Sequence, residues 1–251
     1  MGLRTMYDMA GPEGIGRDAF IALGLQEGYR LKTVGSQTRT TYSVKSSRYR
    51  NLLVDEEFTE INQVWSSDIT YFLCKDQFFY IVFIMDVYSR RIVGYNVADN
   101  MRAENNLAAL EMALKTRGIK DYRKSLIHHS DKGTQYASDR YTDKLEEYGI
   151  RISMCNEVYE NTHIERVNST IKNQYLAKWE NNNKQDLKKN LDRAVKAYNE
   201  TKPHENLKKM SPINFEKHLL TVEKESRNKL SIYTGKWSEK EKEIGQLNLF
   251  D

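Results

Sequence analysis

Phe78-Phe79-Tyr80-Ile81-Val82-Phe83-Ile84-Met85 is an almost unbroken apolar run, closed by Asp86-Val87-Tyr88-Ser89-Arg90. A run of this length, rich in β-branched and aromatic side chains, describes a strand at the buried centre of a sheet. Strand-like segments lie on either side: Asn62 to Leu73, with Val64, Trp65, Ile69, Tyr71 and Phe72, and Arg91 to Val97. The turn at Val87 to Arg90 is so short that the second and third strands should pair antiparallel. Further on, Leu107, Leu110, Met112 and Leu114 among alanines and charges predict a helix over Arg102 to Thr116, ending near Gly118. A short strand at Leu126 to His129, a helix at Asp139 to Tyr148 and a strand at Ile150 to Met154 complete the order β-β-β-α-β-α-β. The fold class is therefore α/β, a mixed sheet flanked by helices.

The flanks read differently. Beyond Asn161 the pattern is helical through Leu176, and after Asn181 to Asn183 the residues Leu187, Leu191, Val195 and Tyr198 recur at helical spacing. Pro203 and Pro212 end that regularity, and the charged tail from Thr221 is expected to be mobile or weakly helical. At the other end, Ile15, Phe20, Ile21, Leu23 and Leu25 sit among glycines, which predicts one or two short helices, one of them running from near Gly16 to Gly24. Such a pair suits a helix-turn-helix or simple packing. From Gly28 to Val54 there are six cations, among them Arg48 and Arg50, and no acid. This basic arm is either a solvated linker or a phosphate contact. The expected organisation is a partial helix-turn-helix-like region over 1–35, a basic linker over 36–61, an α/β core over 62–180, a helical extension over 181–220 and a charged tail over 221–251.

Lysine and arginine number 39 against 35 acidic residues, so net charge alone selects no partner. Cys74 and Cys155 are the only cysteines, with neither disulfide-framework nor zinc spacing, which fits a reducing cytoplasm. The first residues lack a basic start followed by an apolar stretch, and no window has the roughly 18 apolar residues of a membrane span. The expectation is an unexported, soluble protein.

Phosphoryl transfer between DNA strands uses a hydroxyl nucleophile and divalent ions, and hard cations take carboxylate oxygens. Asp68, in Val64-Trp65-Ser66-Ser67-Asp68-Ile69-Thr70-Tyr71, lies toward the end of the first strand; Asp131, in His129-Ser130-Asp131-Lys132-Gly133, follows the fourth. Neighbouring strands would bring both to one sheet edge. Either aspartate by itself reads as a turn former. The helix after Asn161 offers Glu165, with Asn168, Ser169 and Lys172 on the same face and Arg166 beside it. By itself, that glutamate reads equally as a solvated residue near a helix N-terminus. Competing acids are Asp76 and Asp86 in turns, and Glu157 and Glu160 in the polar stretch after Cys155. His129 is either a partner orienting Asp131 or a structurally satisfied histidine.

Several ordered motifs resemble a known group. They are Trp65-x-x-Asp68-Ile69-Thr70-Tyr71, Met85-Asp86-Val87-Tyr88-Ser89-Arg90-x-Ile92-Val93-Gly94, His129-Ser130-Asp131-x-Gly133-x-Gln135-Tyr136, Asn161-x-x-Ile164-Glu165-Arg166, and Tyr198-Asn199-x-x-x-Lys202-Pro203-His204-x-x-Leu207 followed by Ser211-Pro212. Together they resemble the second-frame (OrfB-type) DDE transposases of insertion sequence family three, in the retroviral integrase superfamily, from about Gly14 to Phe215. The resemblance implies a ribonuclease H-like core in which Asp68, Asp131 and Glu165 hold two magnesium or manganese ions, with Asp68 shared between them. It implies cleavage of insertion-element ends and joining of the 3′-OH to target DNA. Lys172 would contact terminal phosphates, and Gln135, Arg166 and Asn168 are further DNA-contact candidates. Lys202 and His204 would fix the C-terminal helix against the core. Implied partners are the element's terminal inverted repeats, target DNA, further copies of the chain on that DNA and a first-frame companion protein, in the bacterial cytoplasm at the nucleoid. The Asp131 to Glu165 interval is slightly shorter than the family's usual one, which implies a shorter loop before the helix. A simple nuclease of the same fold and a non-catalytic DNA-binding regulator are the alternative functions.

Overall fold

The computed structural model describes residues 2–29, 49–155 and 161–232. Five strands form the main sheet: β2 (Val64–Cys74), β3 (Gln77–Asp86), β4 (Ile92–Ala98), β5 (Ile127–Ser130) and β6 (Arg151–Met154), after a two-residue β1 (Glu57–Phe58). Their spatial order is β4-β3-β2-β5-β6. The first three form an antiparallel meander, and β5 and β6 add in parallel beside β2. The mixed α/β reading is therefore correct, and β3 is the inner strand of that meander.

The apolar run of β3 divides by alternation between two cores. Phe79, Ile81, Phe83 and Met85 face one cluster, which α5 (Thr162–Thr170) and α6 (Lys184–Glu200) close with Ile164, Val167, Leu187 and Leu191, joined by Ile171 just after α5. Val82 and Ile84 face the other, closed by α3 (Ala103–Arg117) and α4 (Asp139–Glu147) with Leu107, Leu110, Tyr141 and Leu145. Met112, read as part of that helical stripe, is exposed. On β4, a Cβ at Gly94 would stand 2.2 Å from the Ala109 carbonyl oxygen, so only glycine lets α3 lie this close to the sheet.

Several boundaries differ from the sequence reading. Asn62 has φ 61°, its N–H donates to Asp86 at 2.7 Å, and the strand starts only at Val64. That strand continues past Asp68 to Cys74, so Asp68 lies mid-strand rather than toward its end. Pro212 does not end helical structure but starts α7 (Pro212–Leu219), where its missing N–H costs nothing and Ser211 caps the helix. Residues 221–232 are held rather than mobile: a short helical turn spans Lys224–Ser226, as the weakly helical alternative expects, β7 (Leu230–Ser231) pairs with β1, and Tyr88 donates to the Asn228 carbonyl. Residues 49–61 likewise pack as part of the core rather than as a linker, with Leu53 and Phe58 buried. The rest of the basic arm and of the tail lie outside the described residues.

At the N-terminus, α1 (Leu3–Ala10), absent from the sequence reading, packs against α2 (Arg17–Gln26). The second helix passes through Gly24 rather than stopping there; a Cβ at Gly24 would lie 2.4 Å from Leu3 Cδ2, so the glycine makes room for α1. No described helix is long and apolar enough to cross a membrane.

Candidate active site

Strands β2 and β5 run in register from Val64 opposite Ile127 to Ser67 opposite Ser130. The next residue on each strand is an aspartate, Asp68 on β2 and Asp131 after β5, so the parallel ladder delivers two carboxylates to one place. Each is held by a specific donor. Asn168 Nδ2 donates to Asp68 at 2.7 Å, and the Gly133 N–H donates to Asp131 at 3.0 Å. A Cβ on Gly133 would sit 2.9 Å from that same Asp131 oxygen, so the loop leaves no room for a side chain beside the carboxylate. Tyr136, buried in the same loop, shares a 2.9 Å hydrogen bond with Ser67, which in turn donates to the Phe83 carbonyl. The Asp131 loop is thereby braced against the strand immediately before Asp68.

The third acid comes from α5. Asn161, directly before the helix, donates to the Ser67 carbonyl at 3.0 Å and accepts from the Ser66 hydroxyl. Two turns later Asn168 reaches Asp68. One helix face is pinned to β2 at both points; Glu165, between them, is exposed, and its charge acts on Asp68. The helix then winds into a π turn over Ile171–Tyr175, a feature frequent at functional sites. Lys172 lies in that turn, its Nζ 5.4 Å from the Tyr71 ring centroid.

Burial raises the Asp68 carboxyl to about 8, reinforced by the negative charges of Asp131 and Glu165, while Asn168 and the Ile69 amide pull it down. Burial also raises Asp131, opposed by the Gly133 amide, and raises Glu165. The Lys172 ammonium is lowered by burial and supported by Asp68. Carboxyls raised in this way by burial are ones whose charged form a bound cation would stabilise. Their hard oxygen donors fit magnesium or manganese. Among the described residues, no three acidic, histidine or cysteine side chains close around a single point.

The other expected contacts separate. Asn168 is buried and committed to Asp68, so it is not a DNA-facing residue. Gln135 Nε2 donates to the Met101 carbonyl and ties the Asp131 loop to the segment before α3. Arg166 lines a cavity that contains none of the three carboxylates. Arg50 is exposed beside β6, its carbonyl accepting from the Met154 N–H, while Arg48, Glu157 and Glu160 lie outside the described residues. His129 bonds Ser153 through Nδ1 and Cys155 through Nε2, the structural alternative for that residue. Asp86 accepts from the Ser89 N–H as a turn former should, and Arg117 also pairs with it. Asn161, Gly133 and Tyr136 stood in the quoted motifs without a role; their contacts supply one.

Two integrase core domain family models match residues 59–158 and 148–212. The insertion element IS600 uncharacterized 31 kDa protein of Shigella sonnei is 31% identical over 206 residues, covering 80% of this chain and 75% of that protein. The chain belongs to the integrase-core transposase family. A family member from Mycobacterium tuberculosis, the putative transposase for insertion sequence element IS986/IS6110, is 35% identical over 151 residues, 57% of this chain and 54% of its own length. The chain therefore spans about half the length of such relatives. Among solved structures, the HTLV-2 integrase catalytic core in complex with magnesium aligns with TM-score 0.50 and 18% identity, over 66% of this chain and 99% of that one. The simian T-cell lymphotropic virus intasome aligns at TM-score 0.52 and 15% identity, over 85% and 74%. At these identities the structural likeness establishes the integrase-type, ribonuclease H-like fold.

Proposed function

We propose that the chain is a DNA strand transferase, which cleaves the ends of an insertion element and joins the freed 3′-OH to target DNA. The observation that carries this reading is the paired register of Asp68 and Asp131, with the helix of Glu165 bonded to Asp68 itself. Asp68, Asp131 and Glu165 would hold two divalent ions, magnesium as in the HTLV-2 integrase core, or manganese. Bound there, the ions supply Lewis-acid activation of the attacking hydroxyl and charge stabilisation at the leaving oxygen. Asn168 and the Gly133 amide hold the two aspartates at fixed angles, so little reorganisation is left to the moment of reaction. Lys172, at the rim, would neutralise an incoming phosphate. The DNA partners are the element's terminal repeats and a target duplex, engaged by more than one copy of the chain, with a first-frame protein as companion. The N-terminal helix pair and the arm carrying Arg48 and Arg50 would add DNA contacts.

The test is a magnesium-dependent assay on labelled element ends. Strand joining is expected, and Asp131→Asn should reduce it by more than about 100-fold, since losing even an outer partner of a metal ligand costs 10–100-fold. Cleavage without joining would point to a nuclease. Joining unaffected by Asp131→Asn would refute the site.

A further inference from the structure

A second site lies on another flank of α5. Arg90, Arg166, Lys202, His204 and Tyr198, with Arg4 from α1, surround a cavity of about 210 Å³. Lys202 is only 9% exposed, yet its ammonium has no carboxylate within ion-pair distance among the described residues; its one hydrogen bond is a 3.5 Å contact to the adjacent Pro203 carbonyl. His204 packs its ring on Tyr198 and leaves Nε2 buried without a partner. Two acids also line the cavity. Asp8 is taken by Lys209 at 2.8 Å, and Glu205 is exposed and directs its charge toward the same lysine.

Arg4, Arg90, Arg166 and Lys202 are therefore gathered with no acid in ion-pair distance of them among the described residues. Burial lowers Lys202, and burial together with the Arg166 charge lowers Arg90, against support from Tyr198 and Asp86. A buried charge needs a counter-charge, and where the described residues provide none a ligand is one source. Guanidinium groups beside an ammonium suit a phosphate, which accepts from several donors at once. With a water occupying roughly 30 Å³, the space admits a phosphodiester with its attached sugar.

We propose that this cavity binds a backbone phosphate of DNA, in a strand that passes the outer flank of α5 while the reacting end lies at Asp68. The proposal rests on the DNA strand-transfer reading, and it enlarges the role expected of Lys202 and His204 from packing to ligand binding. The cavity couples four parts of the chain: α1, the helix bearing Glu165, the turn after β3 and the segment after α6.

The test uses the full chain in EDTA, with fluorescence anisotropy of a labelled duplex carrying an element end, titrated against salt. Each phosphate contact contributes about 0.9 to the slope of log K against log salt. Lys202→Met should lower affinity several-fold and reduce the slope by about one, Lys202→Arg should restore both, and Lys144→Gln, a surface charge paired with Glu147, should change neither. Arg166→Gln, on an exposed residue, repeats the test should Lys202→Met fail to fold. A slope unchanged in a folded Lys202→Met or Arg166→Gln protein would overturn the proposal. So would inorganic phosphate raising the melting temperature of the wild type but not of Lys202→Met while the DNA slope stays the same, which assigns the cavity to a free anion. A reduced slope in a protein that joins no strands would leave this site standing and remove the strand-transfer reading alone.

Discussion

Asn168 shows most directly what a residue's position does. It lies on the face shared by Ile164, Val167 and Ile171, all buried, so the same periodicity that marks that apolar stripe places Asn168 inside it. A polar residue on a buried face usually has a fixed partner, and here the partner is Asp68. The sequence contained that signal; reading the face of Glu165 instead sent Asn168 toward DNA. Asn168→Ala is expected to reduce strand joining about 10–100-fold, with a higher magnesium requirement, and magnesium titration of the joining rate checks it. An unaltered magnesium midpoint would make Asn168 a packing residue. Asp68 gives a pH signature. Its ordinary value is 3.8 and its folded value about 8, so the folded, metal-free protein holds a proton that the unfolded chain gives up. Stability without metal should accordingly fall as pH rises from about 4 to about 8, and Asp68→Asn should flatten that fall in thermal melts with EDTA. Magnesium competes with that proton, so its stabilisation should grow over the same interval.

Whole elements were legible where the periodicity is unambiguous. The β3 run and the spacing of α6 located those elements closely, because burial on both faces or along one stripe leaves a regular pattern. Misreadings cluster where one residue type has two uses. Pro212 reads as a stop yet occupies the first turn of α7; Gly24 reads as a terminator yet admits Leu3. No local pattern reports the ionic network that docks α7. Arg117 at the end of α3 pairs with Asp86 at 3.0 Å and Glu216 at 2.7 Å, and Arg91 joins Glu216 at 2.6 Å. Burial alone would raise the Glu216 carboxyl, but Arg117, Ser89 and Arg91 bring it below its ordinary value; Asp86 is raised by burial, which outweighs Arg117. Breaking a buried pair from one side strands the remaining charges. Glu216→Gln is expected to cost about 3–5 kcal/mol, read by denaturant unfolding, with faster amide exchange in α7. A loss below about 1 kcal/mol would mean that the network is solvent-relaxed.

At the scale of the whole molecule, the ordered motifs located the α/β core and its three candidate acids, but not how far the segments flanking it return to it. Lys224 and Arg227 pair with Glu60, Arg227 also donates to the Leu219 carbonyl, and β7 completes a small sheet with β1. The contacts with Glu60 and β1 join positions far apart in sequence, which no window of residues can display. A chain ending after Thr221 should therefore melt at lower temperature, by roughly 2–4 °C for each kcal/mol lost at this size, and should expose Phe58 to proteolysis. An unchanged melting temperature would show the strap to be dispensable. The π turn after α5 has a consequence of its own. Upstream, the helix is indexed to β2 through Asn161 and Asn168; downstream, Tyr175 and Leu176 are indexed to the core. An inserted residue between two such anchors acts as a slip joint. Loss of one residue there would rotate whatever follows by about 100°. The orientation of the Lys172 charge can thus drift in descendants of this sequence while Glu165 stays where the aspartates need it.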